Sequence, residues 1–88
     1  MKTFLLVISS PDGDVFRGEV AGLSVRGVEG ELAVLAGHIP FITSVKECNP
    51  KITLEDGTER IGHTEGGLLT VSTDSVTLLT GSFKWIEE

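Results

Sequence analysis

With 88 residues, 40% of them hydrophobic, the chain is one domain with a thin core, because folding at this length removes only about 60–65% of the unfolded surface. A formal charge of −6 and seven scattered Lys and Arg exclude a nucleic-acid-binding protein, whose phosphate partner would be repelled. A single cysteine, Cys48, excludes an internal disulfide and points to a reducing cytosolic compartment.

The first apolar run, Phe4 to Ile8, is too short for a signal-peptide core and has no small-residue cleavage site after it. It does not alternate, so it reads as a strand covered on both faces, or as one whose outer face, at Leu5 and Val7, meets a partner. Pro11, Asp12 and Gly13 break it from a second run, Val15 to Val20. Leu23, Ser24, Val25 and Arg26 then alternate with the period of two that marks a half-buried strand.

From Gly27 to Phe41 the chain sets Gly27, Gly30 and Gly37 where strand-forming sequence must turn, and Pro40 withholds a backbone donor just beyond. The longest uncharged stretch, Leu32 to Val45, is broken by Gly37, His38 and Pro40 and falls short of the roughly 20 apolar residues that span a bilayer. Any membrane contact is therefore made through a partner.

Lys51 to Glu55 alternates again, and Glu55-Asp56-Gly57-Thr58 predicts a type I′ hairpin. Gly66 and Gly67 interrupt next. A turn over Ser72 to Ser75 joins Leu68–Val71 to Val76–Thr80. Ser82 to Glu88 allows two helical turns at most, and Phe83, Trp85 and Ile86 suit a chain end laid on a sheet. No window carries apolar residues at helical spacing. The eight to ten short strands that result predict a single all-β domain over residues 1–88, a sandwich or barrel without a helical domain.

Candidate chemistry is sparse. His38, His63 and Cys48 match no ligand motif, so no metal site and no Cys-His nucleophile is expected, and Cys48-Asn49-Pro50 reads as a turn. Glu29 and Glu31, two apart, point the same way on an extended backbone and suit a solvated or partner-facing acidic edge better than a hydrolytic pair. The glycine pairs are followed by strand-like sequence, not by the helix that a phosphate loop requires, so no cofactor is expected.

Five motifs in order carry a resemblance: Ser-Pro-Asp-Gly (Ser10 to Gly13), Val-Phe-Arg-Gly (Val15 to Gly18), Gly-x-x-Gly-Glu-Leu-x-x-Leu-x-Gly-His-x-Pro (Gly27 to Pro40), Leu-Glu-Asp-Gly (Leu54 to Gly57) and Gly-Gly-x-Leu-x-Val (Gly66 to Val71). Together they resemble the N-terminal β-sandwich of the epsilon subunit of F-type ATP synthases. The resemblance implies two five-stranded sheets face to face, and a non-catalytic rotor part that binds the gamma subunit and the membrane-embedded c ring. Residue by residue, it implies ring contacts at Glu29, Gly30 and Glu31, with Gly37 and His38 in the adjoining turn, and a gamma-facing strand at Thr43, Ser44, Val45 and Lys46.

The helical hairpin that follows this domain in most of the family has no counterpart in these 88 residues, and if that is the natural length the resemblance implies a short-form subunit without the inhibitory arm. The implied location is peripheral, at the cytoplasmic face of the bacterial inner membrane. The competing expectation is a free-standing β-sandwich binding module, which gene neighbourhood would separate from the first.

Overall fold

The alternating runs fold as strands throughout the computed structural model, which describes residues 2–37 and 39–86. In chain order these are β1 (Phe4–Ser10), β2 (Gly13–Gly27), β3 (Gly30–Leu35), β4 (Phe41–Val45), β5 (Lys51–Leu54), β6 (Glu59–Thr64), β7 (Gly67–Val71), β8 (Ser75–Thr80) and β9 (Phe83–Trp85). Among the described residues there is no helix.

One strand differs from expectation. The predicted runs Val15–Val20 and Leu23–Arg26 are halves of a single 15-residue strand, β2. Its first half pairs antiparallel with β1, Phe4 opposite Val20 and Ile8 opposite Phe16, and its second half pairs with β3 and β5, Leu23 opposite Val34 and Ile52. Against β5 the register slips between Val20 and Gly22, leaving Ala21 unpaired. A bulge of this kind bends a strand sharply enough to pass from one sheet to the other.

The pairings therefore form two runs of five, β2–β1–β8–β7–β4 and β3–β2–β5–β6–β9. Among the described residues, nine strands fill the ten places of two five-stranded sheets because β2 serves in both.

Between the layers, Phe4, Leu6 and Ile8 of β1 with Leu69, Val71, Val76 and Leu78 meet Leu23, Val25, Val34 and Ile52. Burying each such aliphatic side chain is worth about 1.5–3 kcal/mol relative to leaving it in water. β1 lies between β2 and β8, its outward Val7 is buried at 8% exposure, and its outward Leu5 is half-buried. At one end of the core Thr64 Oγ1 and Thr80 Oγ1 hydrogen-bond at 2.6 Å, and the Thr80 hydroxyl lies 2.9 Å from the carbonyls of both Gly66 and Ser82, so these buried hydroxyls are satisfied.

The β5–β6 hairpin is not type I′, which needs positive φ at both central residues: only Gly57, at 90°, has it. Leu54 N–H donates to Thr58 O at 2.7 Å and Gly57 N–H to Leu54 O at 3.0 Å, a three-residue loop closed by a glycine bulge. Asp56 is held in it as an acceptor, its Oδ1 taking Thr58 N–H at 2.9 Å, which keeps its carboxyl below the ordinary carboxylate range.

Residues 83–86 lie along the sheet as expected. β9 pairs with β6, and Trp85 packs edge-on against Phe83 and Phe16 with centroids 5.1 and 5.9 Å away, while Arg60 stacks 3.8 Å over its ring. Ile86 N–H donates to Ile61 O at 2.8 Å, although the Ile86 side chain stays exposed.

Candidate docking surfaces

The strand registers gather the loops at two ends of the sandwich. Near one end lie the 11–12 turn, the 28–29 hairpin tip, Lys46–Glu47, Glu65–Gly66 and residues 81–82; near the other lie residues 36–40, 55–58 and 72–74. The first end is acidic. Asp12, Asp14, Glu29, Glu31, Glu47 and Glu65 are all exposed there. Arg17 lies 3.8 Å from Asp14 and Arg26 lies 3.3 Å from Glu31, exposed pairs that leave the net sign negative.

Glu29 and Glu31 do not extend side by side as expected. Gly30, at φ 129°, turns the chain between them, leaving Glu29 on the hairpin tip and Glu31 opposite Arg26 at the start of β3. Gly27 is a close-approach residue and not a turn: it is buried in β2, paired with both Gly30 and Val45, and a Cβ on it would lie 3.0 Å from Leu32 Cδ2. Gly37 does turn, at φ 86°, but it sits beyond the far end of β3, whose six residues span about 20 Å. Gly37 is thus separated from Glu29, Gly30 and Glu31, and His38 lies outside the described residues.

The other predicted contact strand is tied to the acidic tip. Val28 N–H donates to Ser44 O at 3.2 Å and Lys46 N–H to Arg26 O at 2.8 Å. Within it the side chains divide by parity. Val45 points into the core at 5% exposure and Thr43 is half-buried, whereas Ser44 and Lys46 face out. Val45 therefore has no side chain to offer a partner.

Sequence reasoning passed over the face beside it. Ser44, Leu68, Leu79 and Ser9 line up in one row across β4, β7, β8 and β1, and Ile42, Thr70, Thr77 and Val7 form the next. Ile42 is 67% exposed, Leu79 49% and Leu68 41%, and neither row carries a charge. Contiguous apolar surface of this kind on a small domain marks an interaction site. Its signal was legible as adjacent leucines, Leu68-Leu69 and Leu78-Leu79: a strand with one wet face has no use for leucine on both.

Of the candidate chemical residues, Cys48 is half-buried with its Sγ accepting Arg26 N–H at 3.5 Å, and His63 contacts Asn49, Glu47 and Glu65.

Comparison with known proteins fits this picture. The family described as "ATP synthase, Delta/Epsilon chain, beta-sandwich domain" matches residues 3–86. A chain in the cryo-EM structure of Euglena gracilis mitochondrial ATP synthase, OSCP/F1/c-ring in rotational state 1, superposes with a TM-score of 0.91 at 26% identity, covering 98% of this chain and 55% of its own length. A chain from the Tetrahymena thermophila mitochondrial ATP synthase central stalk/c ring gives a TM-score of 0.77 over 93% of this chain and 66% of its own; at 10% identity it speaks for the fold alone. This chain thus spans little more than half of the Euglena chain. The motif series from Ser10 to Val71 and the family match over residues 3–86 agree, and the chain belongs to the ATP synthase delta/epsilon family, whose β-sandwich domain it forms.

Proposed function

We propose that this chain is a central-stalk subunit of a rotary ATP synthase, non-catalytic itself, which fixes the gamma subunit to the c ring so that ion-driven rotation reaches the catalytic head. The observation that carries this reading is the joining of two unlike surfaces on one rigid sandwich: an uncharged face at Ile42, Ser44, Leu68 and Leu79, and an acidic end tipped by Glu29. The first suits a desolvated contact with gamma. The second suits basic polar loops, for which carboxylates set orientation and association rate more than bulk affinity.

In this proposal Glu29, Gly30 and Glu31 meet the ring. Ser44 and Lys46 meet gamma together with Ile42, which replaces the buried Val45 and half-buried Thr43 as the main contact of β4. The Gly37 turn, about 20 Å from the acidic tip along β3, belongs in this proposal with the start of β4 on the gamma side. Both matched assemblies are mitochondrial, so the proposal extends to the surface of a coupling membrane, with the cytoplasmic face of a bacterial inner membrane as the version that the sequence reading favours.

Charge reversal tests the ring contact. Glu29→Lys with Glu31→Lys should lower the amount of c ring recovered with the tagged chain at least tenfold, and should leave the melting midpoint nearly unchanged because exposed charges contribute little to folding, about 0.5 kcal/mol or less. Undiminished ring recovery from the doubly reversed protein would remove the acidic tip from the interface.

A further inference from the structure

We propose that Glu47, His63 and Glu65 form a binding site for a divalent transition-metal ion such as Zn²⁺, with Asn49 as the residue that orients the histidine. The site lies at the acidic end of the sandwich, where the end of β6 meets residues 47–49. Cys48 and Thr64 form an antiparallel bridge, their backbones exchanging hydrogen bonds at 3.1 and 3.0 Å, which sets Glu47 opposite Glu65 and Asn49 opposite His63. Like charges facing each other across a strand pair repel, so this bridge carries an arrangement that the bare protein has reason to avoid.

The histidine sits between the two carboxylates. Its Nδ1 lies 2.7 Å from Asn49 Oδ1, an acceptor, so Nδ1 donates there, and Nε2 faces Glu65 Oε2 at 3.0 Å and Glu47 Oε2 at 3.3 Å, contacts that need a hydrogen on Nε2 in the bare protein and that an ion in its place would replace. A metal-bound imidazole is held in this way, by a donated hydrogen bond from its other nitrogen. The single hydrogen on Nε2 is shared between two carboxylates, whereas an ion in its place binds the nitrogen and both oxygens at once.

The spacing suits such an ion. With metal–ligand bonds of about 2.0–2.1 Å, the edge of a tetrahedron is about 3.4 Å, close to both separations from Nε2. One ligand atom from each of the three side chains lies within 4.8 Å of the others, and both glutamates are exposed and free to close that gap by rotation. Imidazole with two carboxylates selects zinc and its neighbours over magnesium or calcium, which take oxygen donors. Glu47, Asn49 and His63 also line a groove of about 720 Å³, so the ion has an open approach and room for water at its fourth position.

Titration of the whole chain with ZnCl₂, followed by calorimetry and by the His63 side-chain NMR signals, tests the site. We expect saturable binding of one ion, weakened at least tenfold in His63→Ala and in Glu47→Gln with Glu65→Gln, unchanged in Cys48→Ser, and not reproduced by MgCl₂. Circular dichroism of each variant checks that it is folded; His63 is partly exposed, so the fold is expected to survive. Zinc binding that persists in His63→Ala, that is lost in Cys48→Ser, or that is absent from the wild type would overturn the proposal.

Discussion

Gly67→Ala is expected to unfold this protein or to lower its melting midpoint by at least about 12 °C, the consequence of about 3 kcal/mol of overpacking in a domain of this size. A Cβ on Gly67 would collide with Leu79 O and stand 2.9 Å from its carbonyl carbon. Neither strand can yield, since Gly67 is paired on one side with Thr80 and on the other with Val45. Gly66 is constrained as well: it has φ 116°, and a Cβ there would lie 2.8 Å from Val45 O. Gly81, with nothing within 4 Å of its hypothetical Cβ, is the control, and Gly81→Ala should change stability by no more than about 0.5 kcal/mol. Equal melting midpoints for the two variants, read by differential scanning calorimetry, would contradict the packing described for β4, β7 and β8.

The second large effect falls on assembly and leaves the fold intact. Ile42→Asp with Leu79→Asp puts two carboxylates on the uncharged face, where both side chains are already in water, 67% and 49% exposed, so the isolated domain should keep its melting midpoint. Against the gamma subunit the loss should be about 100-fold or more, because each charge would be buried unpaired at the centre of the contact. Lys84→Glu, on β9 of the other sheet, should bind as the wild type does. Surface plasmon resonance with immobilised gamma subunit separates these outcomes; a double aspartate variant that binds with wild-type affinity removes this face from the interface.

Much of the fold was legible in the sequence because its strands report themselves by alternation and its turns by Gly, Pro and Asp. Leu23–Arg26, Lys51–Leu54 and Val76–Leu78 all read correctly for that reason. What escaped was long-range. Nothing in Ala21 announces that the chain continues through it as one strand while changing sheets; that bulge exists only against the partner β5. The turn at Asp56-Gly57 was located but mistyped, since the Asp56 side chain binds Thr58 N–H and only Gly57 adopts positive φ.

The contact surfaces were legible in outline and wrong in detail for the same physical reason. Chain neighbours in a strand face opposite ways, so the stretch Thr43 to Lys46 divides into core and surface, and only tertiary pairing decides which half is which. Gly30 and Gly37 look adjacent in a glycine-rich segment, yet β3 holds them at opposite ends of the sandwich. The Leu68, Leu79 and Ile42 face needed three strands brought into register before it became a surface.

The stalk reading is tested most directly by titrating this chain into the purified gamma–c-ring subcomplex of its own synthase and measuring the heat of binding. A single saturable site with a Kd of about 1 µM or tighter, equivalent to about 8 kcal/mol, is the predicted result. No binding with the chain folded and present at about 100 µM, where even a contact of about 5.5 kcal/mol would register, would contradict it.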